Sequence, residues 1–398
     1  MKYVVFLIDG LADEPVDEIG GITPSEAART PNLDRLAHDA VMGTLITLPE
    51  GFPTSSDVAN LSVLGYDLGT SYTGRGPIEA ASAGIDLGEN DIAFRLNIIS
   101  VKNDILTDYS AGQIQRETAR EIIRVLQEEL GSESVQFYPG VSYRNLLVLR
   151  GKEYSADIEY HKPDSSHGMN IRDIYPKARS ESAKHTEKVI MEIMEQSFDI
   201  CSRFHKKGSH GDMVWPWSPG KKPVLKSFME KYNKTGAIIS AVDVIKGIGL
   251  LAGMDVVNVD GATGYLDTNF EGKAEAAFAS LDDHDFIYCH IECVDEVSHE
   301  GSLEKKIKAI ELFDKRLLGT FLKLADKANI MKEIVIGVIP DHPVPIKKRM
   351  HTRDAVPFMI YSRAGSDGFE RYNEKNAARG SAGLLKGDAF MKKLFASS

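Results

Sequence analysis

Lys2-Tyr3-Val4-Val5-Phe6-Leu7-Ile8-Asp9-Gly10 opens the chain with six apolar residues in a row, stopped by an aspartate and a glycine. A secretory leader has a longer apolar region and a small-residue cleavage site, whereas here acid follows at Asp13, Glu14, Asp17 and Glu18. A short apolar run without alternation is the pattern of a strand buried on both faces. Similar runs recur at Met254–Val259, Phe286–Ile291, Ile334–Ile339 and Val356–Tyr361. Helical patterns lie between them, such as Leu303–Ala328, where Ile307, Ile310, Leu317, Leu318 and Phe321 fall near a 3.6-residue period. Buried strands alternating with amphipathic helices predict an α/β fold built on a doubly wound, mostly parallel sheet. In such folds ligands collect beyond the carboxyl ends of the strands.

The stretch from about 85 to 205 has another character. Asp91–Val101 and Tyr143–Leu149 alternate as antiparallel strands with one solvated face do, and Gly112–Gly131 between them is helical. The 398 residues are too many for one ordinary domain. The expectation is a discontinuous domain of 1–84 and 206–398, carrying 85–205 as an inserted, smaller α+β domain. Hinges are expected near Gly84–Gly88 and at residues 206–208.

Composition narrows the function classes. Apolar residues make up 42% and charged residues 26%, ordinary for a globular chain. A formal charge of −11, from 47 basic and 58 acidic side chains, repels nucleic acid and anionic membrane. An anionic substrate must therefore meet a local cluster of Arg and Lys. No segment approaches the roughly eighteen apolar residues of a membrane span. Cys201, Cys289 and Cys293 are too few for a disulfide framework, so reduced thiols and a cytoplasmic location are expected.

Acid and imidazole stand where the strands stop. Asp9 ends the first strand, Asp295 and His299 follow Phe286–Ile291, Asp341 and His342 follow Ile339-Pro340, and His351 lies on the loop leading into Val356–Tyr361. Asp295 and His299, four apart, share one face of a helical turn and suit chelation of one cation. A mixed Asp/His set without thiolate suits Mn²⁺, Zn²⁺ or Mg²⁺. Pro53-Thr54-Ser55-Ser56-Asp57 supplies a hydroxyl at the start of a helix, where the positive helix end stabilises an alkoxide or a phosphate ester.

Ser56-Asp57-Val58-Ala59-Asn60-Leu61-Ser62-Val63-Leu64-Gly65-Tyr66-Asp67 and Tyr72-Thr73-Gly74-Arg75-Gly76-Pro77-Ile78-Glu79-Ala80, with Asp9-Gly10 after the first strand, resemble the archaeal-type cofactor-independent phosphoglycerate mutases of the alkaline phosphatase superfamily. The similarity continues through Asp295–Gly301, Asp341-His342 and His351-Thr352, so it spans nearly the whole chain. It implies an alkaline-phosphatase-like fold with a lid, a small anionic phosphorylated substrate, two divalent ions, Mn²⁺ foremost, and no 2,3-bisphosphoglycerate. One ion is expected on Asp295, His299 and His351, the other on Asp9, Ser56, Asp341 and His342. Ser56, directly before Asp57-Val58-Ala59-Asn60, is the expected nucleophile in preference to Ser55. Asn60 stands where many members of the wider superfamily have histidine, with little consequence expected for metal binding.

For the substrate's charges the expected cations are Arg75, Arg95 and Arg144, since guanidinium suits carboxylate and phosphate. Lys222 on the phosphatase side and His167 on the loop after His161 are added to them. A sister group proposed to be homoserine kinases offers an ATP-using alternative, and a phosphomonoesterase another. No phosphate-binding G-x-x-x-x-G-K-[ST] loop supports the kinase. Gly247–Gly253 is a glycine-spotted helix with no strand expected before it.

Overall fold

The computed structural model describes residues 1–397. The chain forms two compact units, Met1–Tyr72 with Leu225–Ser398, and Thr73–Val224. The first is built on an eight-stranded sheet in the order Asp255–Val257, Gly236–Ile239, Phe286–Ile291, Lys2–Ile8, Ile334–Ile339, Val356–Tyr361, Ala40–Ile46, Leu384–Lys386. Lys2–Ile8 is central and parallel to both neighbours, with Tyr3 opposite Phe286 and Val335. Its side chains serve both faces, as an unalternating apolar run requires. Val4, Phe6 and Ile8 enter one core cluster with Phe313 and Phe321. On the other face Gly337, beside Val5, faces Phe390 and Leu394 of the helix Ala389–Ala396.

All the apolar runs form strands of this sheet, but Val356–Tyr361 runs antiparallel to both its neighbours. The strand Ala40–Ile46, next to the edge, does not show as an apolar run because Gly43 and Thr44 dilute it. Gly43 is required there, since a Cβ would lie 2.7 Å from the Gly383 carbonyl oxygen. Contrary to expectation a strand, Gly236–Ile239, does precede the glycine-spotted helix: Asp243–Leu251 packs on it, and a Cβ at Gly249 would stand 2.5 Å from Ile238 Cγ2. Gly249 serves close packing. The expected helix Leu303–Ala328 is Leu303–Leu312 and Gly319–Lys327 around a wide π-helical segment, Phe313–Leu318. In that segment Asp314 accepts from the backbone N–H groups of Asn32 and Leu33 at 3.1 and 2.7 Å, covering the start of the helix Pro31–His38.

The second unit carries a five-stranded antiparallel sheet around Ile92–Lys102, with the helices Arg116–Leu130 and Lys184–Ser202 in its core. The expected segment 85–205 lies inside this unit. The unit also takes the helix Arg75–Ser82 and the strand Met213–Lys221, because that strand pairs with Ile92–Lys102 from Lys221 opposite Ile92 to Met213 opposite Ile99. Pro216 and Pro219 are tolerated in it because it pairs on one side only. The stretches expected as hinges, Gly84–Gly88 and 206–208, therefore lie within the unit, and the chain crosses between units at 72–73 and 224–225. No helix among the described residues is long and apolar enough to cross a membrane. Cys201, Cys289 and Cys293 are free and buried.

Candidate active site

Five strand-end segments of the first unit bring Asp9, Ser56, Asp295, His299, Asp341, His342 and His351 together. Asp9 follows the central strand, and Gly10 then turns with φ +68°, where a Cβ would lie 2.7 Å from Asp295 Cα. Only glycine lets this strand exit approach the helix Cys293–His299. That helix sets Asp295 and His299 one turn apart, with His299 Nε2 3.3 Å from Asp295 Oδ2. His299 Nδ1 donates to the Arg349 carbonyl oxygen at 2.9 Å, so that whenever the ring gives up a proton, as metal binding requires, Nε2 is the nitrogen left free. Arg349 holds φ +53°, a left-handed conformation that aims this carbonyl. His299 Nε2 stands 3.0 Å from His351 Nε2, and the rings of His342 and His351 stack with centroids 3.7 Å apart.

Ser56 is the first residue of the helix Ser56–Val63, and its Oγ lies 3.2 Å from His342 Nε2. Ser55 precedes it in extended conformation, with its own hydroxyl buried and without a hydrogen bond. Ligand atoms of Asp9, Asp341 and His342 lie within 4.8 Å of one another, as do those of Asp295, His342 and His351. His342 therefore belongs to both groups.

The electrostatics are those of a cation site. Asp9, Asp295 and Asp341 are buried, and their ion pairs are all with imidazoles. Burial, followed by the nearby Asp341 and Asp295, pushes the Asp9 carboxyl well above its ordinary range. Burial foremost raises Asp341 to about 7. Burial opposes ionisation of Asp295 too, but the hydrogen bond from His299 and the neighbouring His351 outweigh it and hold this carboxyl below the usual range. His299 rises to about 9: burial lowers it, and Asp295 more than compensates. Asp9 Oδ1, Asp295 Oδ1 and His342 Nδ1 are buried without hydrogen-bond partners. Converging carboxylates with unsatisfied oxygens, facing imidazole nitrogens, fit divalent metal.

Two further residues hold the carboxylates. His290, a lone histidine in an otherwise apolar strand, donates from Nε2 to Asp9 Oδ2 at 3.0 Å, while Ser240 Oγ lies 3.3 Å from its Nδ1. Burial, with Lys273 nearby, drives its pKa down to about 3, so the ring is neutral and orients Asp9. Asn60, expected to matter little, is fully buried and donates to Asp341 Oδ2 at 3.0 Å. The only visible sign of His290 was an imidazole one residue before a strand end.

The expected substrate cations all belong to the second unit. Arg75 Nε donates to Glu79 Oε1 at 2.7 Å, one helical turn away, and Arg95 pairs with the same oxygen. Burial opposes the Glu79 charge, but Arg95, Arg75 and Arg144 hold this carboxyl below its usual range. Arg95 is 3% exposed and lies 4.9 Å over the Trp217 ring, so it is a buried partner of Glu79 and not an open anion contact. Arg144 is exposed, 5.6 Å from the Tyr143 ring. His167 is exposed on its loop. Lys222 belongs to this unit and not to the other, because it directly follows the strand Met213–Lys221, which pairs here; its Nζ meets Asp86 at 3.0 Å.

A family model described as 2,3-bisphosphoglycerate-independent phosphoglycerate mutase matches residues 37–205. The chain is 45% identical over 392 residues to a Methanosarcina acetivorans protein of that name, with 97% of each chain covered. It is 43% identical over 403 residues to a Geobacter sulfurreducens protein described as a probable mutase of this kind, covering 98% of each. Among solved structures, the cofactor-independent phosphoglycerate mutase of Thermoplasma acidophilum matches the whole of both chains with a TM-score of 0.68 at 26% identity.

Proposed function

The chain belongs to the 2,3-bisphosphoglycerate-independent phosphoglycerate mutase family and is an enzyme of that activity, and we propose that it interconverts 3-phosphoglycerate and 2-phosphoglycerate through a phosphoserine at Ser56. The relatives' names support the mutase and not the ATP-using kinase. The family uses divalent metal and no 2,3-bisphosphoglycerate. The observation that carries the Ser56 assignment is a hydroxyl on the first residue of a helix, 3.2 Å from an imidazole of the buried acid cluster.

We assign two ions, one to Asp295, His299 and His351 and one to Asp9, Ser56, Asp341 and His342, with Mn²⁺ favoured over Mg²⁺ or Zn²⁺. Such ions, when bound, lower the pKa of a serine hydroxyl and neutralise charge on the transferring phosphoryl oxygens. Ser56 Oγ attacks phosphorus, the bond between phosphorus and the glycerate oxygen breaks, and the serine proton ends on that oxygen, so phosphoserine forms and glycerate stays in the site as the free alcohol. The other glycerate hydroxyl then attacks phosphoserine and restores Ser56. The N–H groups at the start of the helix Ser56–Val63 favour the negative charge carried by the phosphorylated side chain.

Transfer back to glycerate demands that water be kept out. The unit Thr73–Val224 is proposed as the lid, with Arg75, Arg144, His167 and Lys222 holding the carboxylate and phosphate. Arg95 in this reading positions Arg75 through Glu79. The test is an assay of purified protein with Mn²⁺ on 3-phosphoglycerate, with 2-phosphoglycerate coupled to enolase and no bisphosphoglycerate added. Turnover there, with inorganic phosphate release far slower, is the expected result. Phosphate release matching or exceeding transfer would make the protein a phosphatase.

A further inference from the structure

Asn60 and Tyr288 are fully buried. Asn60 Nδ2 donates both to the Ser56 carbonyl oxygen, at 2.8 Å, and to Asp341 Oδ2, at 3.0 Å. With both amide protons spent, Asn60 Oδ1 accepts from Tyr288 Oη–H at 2.7 Å, and this fixes which way the amide faces. The other Asp341 oxygen accepts from the His342 N–H at 2.9 Å and the Gly10 N–H at 3.3 Å. Three N–H groups thus surround one carboxylate as donors, and a single amide joins that carboxylate to the backbone of the residue carrying the nucleophilic hydroxyl.

We infer that Tyr288 and Asn60 form a positioning relay that locks Asp341 as a metal ligand and sets its distance from Ser56. The inference rests on the metal assignment above. Neither side chain meets the substrate. Tyr288, on the strand Phe286–Ile291, prevents the amide from flipping, because a flipped Asn60 would aim its oxygen at two acceptors and its donors at the tyrosine. Groups that orient a ligand in this way typically govern metal affinity by about 10–100-fold.

The test uses the full chain, stripped with chelator and titrated with Mn²⁺ alone, free Mn²⁺ being read by electron paramagnetic resonance. Tyr288→Phe deletes one hydroxyl and is expected to weaken Mn²⁺ binding about 10-fold. It should also lower kcat, with KM for 3-phosphoglycerate unchanged. Asn60→Ala should weaken binding at least as much, and the double variant should lose less than the sum of the two, as members of one network do. If Asn60→Ala fails to fold, Tyr288→Phe decides alone. A Tyr288→Phe protein whose metal-free form melts earlier while Mn²⁺ affinity stays the same would overturn the relay and leave only packing. Wild-type turnover of phosphoglycerate is scored separately. If Mn²⁺ affinity falls in the variants while the wild type shows no mutase activity, the relay stands and the reaction assignment falls. If the wild type turns over while the variants bind Mn²⁺ normally, the reverse holds.

Discussion

Ser56 and Ser55 are adjacent hydroxyls with different surroundings. Ser56 Oγ stands 3.2 Å from His342, whereas Ser55 Oγ is buried without a partner. Ser56→Ala is expected to abolish phosphoenzyme and lower kcat by at least about 10³-fold, in the range of nucleophile deletions elsewhere. Its circular dichroism and melting temperature should match the wild type; a variant retaining most turnover would move the nucleophile to Ser55. The arginines divide in the same way by surroundings. Arg95→Ala leaves Glu79 with Arg75 as its remaining ion pair and should cost about 1–3 kcal/mol in denaturant unfolding. Arg144→Ala, at an exposed position, should leave stability within about 0.5 kcal/mol and raise KM for phosphoglycerate. If Arg144→Ala leaves KM unchanged, this residue holds no substrate.

At the scale of elements, the strand exits carrying the site are braced from behind by a buried polar network. Lys306, on the helix Leu303–Leu312, donates from Nζ to Asp13 Oδ2 at 2.8 Å and to the Val344 carbonyl at 3.0 Å. Asp13 in turn accepts from the Ile346 N–H, so one lysine ties the segment after Asp341-His342 to the segment after Asp9. Burial lowers the Lys306 pKa against the pull of Asp13. Lys306→Ala removes the cation and leaves Asp13 buried and unpaired, at an expected loss of about 3–5 kcal/mol in urea unfolding. Lys306→Met, which keeps the stem, should unfold at a similar urea concentration, because Asp13 is stranded in both. A loss below about 1 kcal/mol in either would mean that water reaches Asp13.

For the whole molecule, the acid cluster couples metal to folding. Three buried carboxylates, with no Lys or Arg ion pair among the described residues, repel one another until cations arrive. Metal that binds only the folded chain stabilises it by about 2.7 kcal/mol per site at a hundred times Kd. Chelation should therefore lower the melting temperature by several degrees and abolish turnover, with both restored by Mn²⁺. Equal melting curves with and without chelator would deny a metal site in the folded protein. Acid should mimic chelation, since protons compete with metal for His299, His342 and His351.

Much of this protein was legible from its chain. The central strand, the parallel sheet and the acid or imidazole at each strand exit follow from local pattern, because burial on both faces forbids alternation and ligands collect where parallel strands end. Asp295 and His299 were readable together, since one helical turn sets their spacing. His351 was also named from the sequence, but the reason it stands beside the others lies in the tertiary structure. Its strand Val356–Tyr361 is reversed, so the loop leading into that strand lies at the same edge as the loops leaving its parallel neighbours. Nothing in the local pattern reveals the direction of a strand. Tertiary structure alone also decided that Arg95 is buried under Glu79, that Lys222 belongs with the second sheet, and that His290, Asn60 and Tyr288 surround the ligands. Sequence spacing governs what lies within a turn or along a strand. Partners more than two hundred residues apart, such as Asn60 with Tyr288 and Asp341, are set by how the strands assemble, and only the folded chain brings them within hydrogen-bond distance.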